Sequence, residues 1–190
     1  MIRIVREAPA EAGAREALLD LALGKRRRKK SSERLRENRL PAEELSFSAK
    51  LGNGRLIGTL RLWHVAAGKN CAALLLGPLA VHPSYQKRGI GSALMREAIA
   101  GAKALGHRAI VLVGDEPYYR RFGFSNALTP RLHMPGPFER NRLLALELVP
   151  HALADAHGMI AAAGEIAPLT PQKSTGIAGK LLTSRIRHAS

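Results

Sequence analysis

The chain has 190 residues, of which 46% are hydrophobic, and its formal net charge is +15. This length allows one domain with its own core, and the hydrophobic content excludes global disorder. No apolar run reaches the roughly 18 residues of a membrane span, and the N-terminus lacks the apolar region of a signal peptide. The single cysteine, Cys71, excludes an intrachain disulfide, so we expect a cytoplasmic protein without membrane contact.

The spacing of apolar residues divides the chain into strands and helices. In chain order it predicts strand 1–6, helix 10–23, helix 31–39, strands 45–51, 56–65 and 72–81, helix 90–105, strand 109–113, helix 117–123, strand 143–149 and helix 151–163. Ser31 or Ser32 is placed to cap the second helix. Asn53-Gly54 is typical of hairpins, so three strands in succession should form an antiparallel meander. The strands on either side of the long helix should be parallel.

Two glycines, Gly89 and Gly91, open the long helix directly after a buried strand and a short polar turn. A helix N-terminus has unpaired N–H groups and a positive dipole end, and glycine lets an anion approach them closely. Leu94 stands where a dinucleotide fingerprint needs its third glycine, and no Gly-Lys-Ser/Thr follows. These differences exclude the nicotinamide and phosphate-loop motifs and leave Gln-x-x-Gly-x-Gly.

The Gln-x-x-Gly-x-Gly motif resembles the acetyl-CoA-binding motif of the GCN5-related N-acetyltransferases, the GNAT superfamily. Segments 76–83 and 105–115 are similar to that family's fourth and fifth strands, and residues 119–124 match its Tyr-x-x-x-Gly-Phe signature. The resemblance is to the YhbS-like bacterial branch and covers roughly residues 1–150. We expect residues 151–190 to form a C-terminal extension, a helix followed by a mobile basic tail.

The resemblance implies an α/β (α+β) GNAT fold, a mixed sheet of about seven strands flanked by helices, with strands four and five parallel and splayed. It implies transfer of an acetyl group from acetyl-CoA, the cosubstrate, by direct attack in a ternary complex. The acceptor would be an amine on a small molecule, protein or peptide. Family members often dimerise, so a homodimer is possible. The histidines and the cysteine show no metal-binding spacing.

The resemblance also implies the site residues. Coenzyme contacts are expected from the motif and from the preceding strand: Leu79, Ala80, Val81, Gln86, Lys87, Arg88, Gly89, Ile90, Gly91 and Ser92. Arg120 or Arg121 would add a further charge-assisted contact. Tyr119 stands at the position of the family's general-acid tyrosine, beside Tyr118. The catalytic base is more open: Glu116 is our candidate, Asp115, His82 and Glu44 are alternatives, and ordered water is another.

The run Lys25-Arg26-Arg27-Arg28-Lys29-Lys30 carries much of the positive charge. It is interpreted as a solvated loop, as a docking patch near the acceptor site, or as a weakly supported nucleic-acid contact. Aromatic residues make up only 4% of the chain, and none interrupt the run. Two alternatives to an acetyltransferase follow: an acyl-CoA-binding sensor with the GNAT fold, and a basic nucleic-acid-binding or ribosome-associated protein with a secondary acetyltransferase domain.

Overall fold

A mixed sheet of eight strands forms the centre of the computed structural model, which describes residues 1–69 and 71–168. The strands are β1 (Ile2–Arg6), β2 (Ser46–Leu51), β3 (Leu56–Ala67), β4 (Ala72–Val81), β5 (Ala109–Val113), β6 (Leu132–His133), β7 (Leu143–Glu147) and β8 (Gly158–Ala162). The helices in these ranges are α1 (Ala12–Leu23), α2 (Ser31–Arg34), α3 (Ile90–Ala104) and α4 (Glu116–Tyr119). None of them combines the length and the apolar character that a membrane crossing requires.

The strand order is β1-β2-β3-β4-β5-β7, and β8 adds to the far end of β3 and pairs with β6. Strands β1 to β4 are antiparallel neighbours, which confirms the predicted meander. Strands β4 and β5 are parallel, as predicted, because α3 carries the chain back across the sheet between them. The predicted mixed sheet flanked by helices is therefore confirmed.

The sheet separates two apolar layers. On one face α3 packs its apolar stripe against the sheet through residues that include Leu94 and Met95, both fully buried. On the other face, Trp63, Val65 and Leu75 pack with residues from the C-terminal part of the chain. Alternate residues of the strands point to opposite faces, so one strand supplies both layers. The arrangement fixes the carboxyl end of β4 beside the N-terminus of α3.

The predicted helix over residues 151–163 is wrong. Turns follow residue 150, and residues 158–162 form β8. Exposure along β8 follows the period of a strand, because Met159 is 55% exposed while its neighbour Ile160 is fully buried. The cause is non-local: β3 is long enough that Val65–Ala67 offers ladder partners to Ile160–Ala162. The predicted basic tail, residues 169–190, lies outside the described residues, and the domain boundary after residue 150 stays a prediction.

Two helix boundaries also differ from the prediction. Lys30, rather than Ser31 or Ser32, is the N-cap residue of α2, which ends at Arg34 instead of near residue 39. The chain then continues in turns, in which Asn38 adopts a positive φ of 54°. The short helix predicted at residues 117–123 forms as α4 and a 3-10 turn, Arg120–Phe122. It ends at Gly123, whose φ of 89° suits glycine.

Candidate active site

A bulge interrupts β4 at Gly77 and Pro78. These two residues lie opposite a single residue of β3, Arg61, where the register between the strands shifts. The indole N–H of Trp63 donates a hydrogen bond of 2.7 Å to the Gly77 carbonyl oxygen. This bond is buried and fixes the bulged backbone from the opposite strand.

Strands β4 and β5 separate at the same place. Among the described residues, their register includes the pairs Leu74–Ile110 and Leu75–Val111 and nothing beyond the bulge. Past the bulge, β4 continues to residue 81 with β3 on one side and, in the part of the chain that the structure describes, no strand on the other. Its second edge therefore presents backbone groups to the space between β4 and β5.

The alternation of the ladder identifies the backbone groups on that edge. The His82 N–H donates to the Ile57 carbonyl oxygen at 2.8 Å, so the backbone groups of His82 face β3. In an antiparallel ladder the next residue that faces β3 is Ala80. The N–H groups of Leu79 and Val81 therefore face the splayed side. The side chain of Gln86 donates a hydrogen bond of 3.2 Å to the Val81 carbonyl oxygen.

Two cavities meet at this edge, and Leu23 and Leu79 line both of them. The first cavity, about 400 Å³, is also lined by Ala22, Ala80, Val81, Tyr85, Gln86, Lys87, Gly89, Gly91, Ser92, Tyr118 and Arg121. The second cavity, about 190 Å³, is also lined by Arg27, Lys30, Ser32, Glu33, Arg36, Leu76, Gly77, Pro78, Val113, Gly114, Asp115, Tyr119 and Arg142. The Leu79 backbone thus stands between two spaces of different composition.

A row of backbone N–H groups lies at the start of α3, where Lys87, Gly89, Gly91 and Ser92 line the first cavity. The N–H groups from Lys87 to Ser92 have no hydrogen-bond acceptor among the described residues, and the first intrahelical bond runs from Ala93 to Gly89 at 2.9 Å. Lys87 and Gly89 have positive φ angles of 60° and 77°, which turn the chain into the helix. Such a row, together with the helix dipole, forms an anion site for a phosphate or pyrophosphate.

Most of the predicted coenzyme residues lie together around this row. The exceptions are side chains: Ile90 is buried in the core and Arg88 lies over the ring of Tyr85, with its guanidinium carbon 5.3 Å from the ring centre. Arg121 lines the first cavity and lies 4.8 Å from the ring centre of Tyr118. Arg120 is turned toward Glu116 instead.

The two adjacent tyrosines face different cavities. Tyr118 lines the first cavity and Tyr119 the second, with their ring centres 4.9 Å apart. Burial raises the pKa of Tyr119 to about 12, and neighbouring Tyr118 and Asp115 act in the same direction. Gly114 makes room for this ring, since a Cβ at that position would overlap it. The hydroxyl of Tyr119 is therefore protonated at neutral pH.

The four carboxylate and imidazole candidates lie at different places. Asp115 lines the second cavity with Tyr119. Glu116 lies outside the residues that line either cavity and pairs with Arg120 at 2.8 Å. Glu44 pairs with Arg6 at 3.2 Å, and the His82 Nδ1 accepts the Ser84 N–H at 3.2 Å. Asp115 is thus the candidate that the fold brings next to Tyr119.

The second cavity also contains basic residues, some from the run that was interpreted as a possible docking patch and others that the sequence analysis did not single out. Arg27, from the middle of the basic run, is only 6% exposed and pairs with Asp20 at 2.9 Å and Glu16 at 2.5 Å. Arg36 and Arg142 lie farther along the chain and reach the same space. The run is therefore neither wholly solvated nor separate from the site. Only the Glu33/Arg36 spacing of three residues hinted at an ordered pair.

Comparison with protein families decides the assignment. Residues 15–124 match the model of the acetyltransferase (GNAT) family. The chain belongs to this family. This GNAT chain is 27% identical over 117 residues to the uncharacterized N-acetyltransferase YhbS of Escherichia coli K12, a match that spans 61% of the chain and 70% of the relative. The predicted superfamily and enzyme class are confirmed.

The fold is similar to those of GNAT proteins that were solved with bound coenzyme. The crystal structure of E. coli YhbS in complex with CoA matches with a TM-score of 0.71 at 27% identity, over 86% of this GNAT chain and 89% of that one. A GNAT acetyltransferase of Brucella melitensis in complex with acetyl-CoA matches with a TM-score of 0.58 at 25% identity, over 89% and 96%. Residues 1–69 and 71–168 hold no group of His, Cys, Asp or Glu side chains placed to bind a metal.

Proposed function

We propose that this protein transfers an acetyl group from acetyl-CoA to an amine bound in the second cavity, by direct attack in a ternary complex. The observation that carries the proposal is the free edge of β4, where the Leu79 backbone stands between an anion-binding cavity and a second, charged cavity. An acyl group held at that edge is accessible from both sides. The CoA and acetyl-CoA complexes of the similar structures support the same choice of donor.

The first cavity suits the coenzyme through its backbone. The N–H groups from Lys87 to Ser92 would hold the pyrophosphate, and Arg121 lies close enough to the cavity to add charge. The pantetheine arm would pair with the free edge at Val81 as an additional strand does. The Gln86 side chain holds the Val81 carbonyl oxygen and so fixes the edge near the cradle.

Acetyl-CoA supplies an activated thioester whose sulfur can leave. The acceptor nitrogen forms the new bond to the carbonyl carbon, and the carbonyl oxygen gains negative charge, which the Leu79 N–H can stabilise by a hydrogen bond. The carbon–sulfur bond then breaks and sulfur leaves with the electron pair. Because its pKa is about 12, Tyr119 keeps its proton at neutral pH and can donate a hydrogen bond to that sulfur.

The acceptor nitrogen must also lose a proton, because an alkylamine with a pKa near 10.4 is mostly charged at pH 7. Asp115 is the carboxylate that lines the second cavity, and we propose it as the group that receives this proton. Glu116, one residue further on and held by Arg120, is the alternative. The two can be separated by substitution.

Thiol release from acetyl-CoA in the presence of a panel of primary amines tests the proposal. We expect release that depends on the amine, and mass spectrometry should show one acetyl group on the consumed amine. Tyr119→Phe should lower the rate without removing coenzyme binding. Tight binding of acetyl-CoA without transfer to any amine would instead support a sensor and contradict the proposal.

A further inference from the structure

The second cavity holds more positive than negative side chains. Arg27, Lys30, Arg36 and Arg142 line it, against Glu33 and Asp115. The charge of Arg27 is matched by Asp20 and Glu16, both outside the cavity. The other three cationic residues then stand against two acidic ones in the cavity, which leaves an excess of one positive charge.

Arg36 is the most unusual of these residues. It is only 9% exposed, and its Nη1 pairs with Glu33 at 3.0 Å. Its Nε is buried and has no hydrogen-bond partner among the described residues, and Nη2 makes no hydrogen bond to them either. Burial lowers the pKa of Arg36 to about 10, which still leaves the guanidinium charged at neutral pH. Glu33 meets the charge of Arg36, but buried N–H donors without acceptors remain costly, and an anion bound beside them would satisfy them.

Arg142 lines the same cavity and also keeps one donor unpaired among the described residues, although its side chain is 37% exposed. It pairs with Asp115 at 3.2 Å and with Glu139 at 3.4 Å. Its Nε is also buried without a partner in the described part of the chain. Lys30 lines the same cavity and forms no ion pair with the described residues. The two flanks of α2 and Arg142 thus bring three cationic side chains to one small space.

The unused donors lie close to the site of acetyl transfer. A Cβ placed on Gly77 would stand 3.8 Å from the Leu79 nitrogen and 3.9 Å from Nη2 of Arg36. These two nitrogen atoms are consequently no more than 7.7 Å apart. A group bound by Arg36 is therefore within a few bonds of a nucleophile that attacks an acyl carbon held at Leu79.

We propose that the acceptor is a small amine that also carries a carboxylate or phosphate group, and that Arg36 binds this anion, with Arg142 and Lys30 beside it. An amino acid and an aminoalkyl phosphate have this chemistry. The cavity volume of about 190 Å³ fits such a compact molecule. Asp115 lies in the same cavity and provides the opposite charge for the amine. This inference rests on the proposed acetyl transfer.

Matched pairs of acceptors test the inference on the unmodified full chain. Glycine is compared with glycinamide, and 2-aminoethyl phosphate with ethanolamine, at saturating acetyl-CoA and constant ionic strength. We expect kcat/KM for thiol release to be about 10- to 100-fold higher for the anionic member of at least one pair, as charge-assisted hydrogen bonds provide. The pair that shows the preference distinguishes a carboxylate from a phosphate.

Variants then assign the preference to a residue. Arg36→Met should reduce the preference to about twofold or less, by raising KM for the anionic acceptor, while its affinity for CoA stays within about twofold of the unmodified chain. Arg36→Lys and Arg142→Met serve if Arg36→Met does not fold, and each should lose part of the preference. Arg28→Met is the matched control, because Arg28 belongs to the same basic run, is 61% exposed and does not line the second cavity. It should keep the full preference.

The outcomes separate this inference from the proposed function. Equal or faster acetylation of the neutral amines would overturn the inference and leave acetyl transfer intact. A preference that survives in every folded variant of Arg36 and Arg142 would also overturn it. If CoA binds but no amine of the wider panel is acetylated, the proposed function itself fails. If amines of the panel are acetylated but no member of either pair is, only the inference fails.

Discussion

The two cavities recognise their ligands by different means. In the first, the groups suited to a phosphate are mainly backbone N–H groups between the free edge of β4 and the first turn of α3. The second is built from side chains of α2 and its flanks, the β4 bulge, the start of α4 and Arg142. Backbone groups cannot be exchanged by substitution, so the first cavity suits a constant ligand such as the coenzyme. Side chains can be exchanged, and the choice of acceptor is therefore expected to reside in the second.

The largest expected effect is on the first cavity. Gly91→Leu places a side chain against the N–H row, where even a Cβ would meet the Tyr118 hydroxyl at 2.8 Å. We expect CoA affinity, measured by calorimetry, to fall about 100-fold, roughly 2.7 kcal/mol. Gly13→Leu is the matched control, since Gly13 is also the second residue of a helix and has no atom within 4 Å of its Cβ position. Equal losses in both variants would contradict a backbone cradle.

Weaker CoA binding after substitution of Gly91 could come from displacement of Tyr118 or from direct blocking of the ligand. A smaller side chain at this position distinguishes the two causes. Gly91→Ala displaces the Tyr118 hydroxyl, whereas Gly91→Ala combined with Tyr118→Phe removes the atom that the new Cβ would meet. If the Cβ blocks the ligand directly, the double variant should bind CoA as weakly as Gly91→Ala does. Recovery of binding in the double variant would show that only Tyr118 had been disturbed.

Tyr119 lies on the side of the second cavity, so its loss should affect the reaction and leave coenzyme binding unchanged. Tyr119→Phe should lower kcat about 100-fold, at the low end of what a proton or hydrogen-bond donor contributes, with CoA affinity within about twofold. Gly114→Ala should lower kcat by about tenfold, because its Cβ displaces the ring. Full turnover in Tyr119→Phe at saturating acetyl-CoA would remove Tyr119 from the mechanism.

The pKa of Tyr119 predicts how stability depends on pH. In the unfolded chain the phenol ionises near 10, whereas burial holds its proton up to about 12 in the fold. The folded state thus binds the proton more tightly, and the free energy of unfolding should decrease as pH rises from about 10 to about 12, by roughly 3 kcal/mol from this group. In denaturant titrations at several pH values, the free energy of unfolding of Tyr119→Phe should not show this part of the decrease. An identical pH dependence in both proteins would contradict a buried, neutral Tyr119.

The smallest expected effects compare two adjacent carboxylates. Asp115→Asn should lower kcat/KM about tenfold, because Asp115 lines the second cavity and pairs with Arg142. Glu116→Gln should change it less than about twofold, because Glu116 is held by Arg120 outside that cavity. A larger loss of kcat/KM in Glu116→Gln than in Asp115→Asn would identify Glu116 as the base. If neither substitution lowers kcat/KM, ordered water is favoured as the base.

The parts of the fold and the site that depend on residues close together in the chain could be predicted from the sequence. The glycine turn, the long helix and the antiparallel meander depend on neighbouring residues, so their patterns predicted the cradle and most of the sheet. Strand β8 depends on a distant edge of β3, and its residues showed no clear local signal. The second cavity also lacks a local signal, because Arg36 and Arg142 both line it although 105 residues separate them in the chain. Folding, and not any sequence motif, creates that cavity.

A crystal structure with bound CoA tests the division between the two cavities most directly. We predict that pyrophosphate oxygens lie about 3 Å from backbone nitrogens between Lys87 and Ser92, that the pantetheine arm follows the free edge of β4, and that the thiol ends near Leu79 and Tyr119. Arg36 and Arg142 should make no contact with the coenzyme. Phosphate groups of CoA bound to Arg36 and Arg142 would contradict the account, because the second cavity would then belong to the coenzyme.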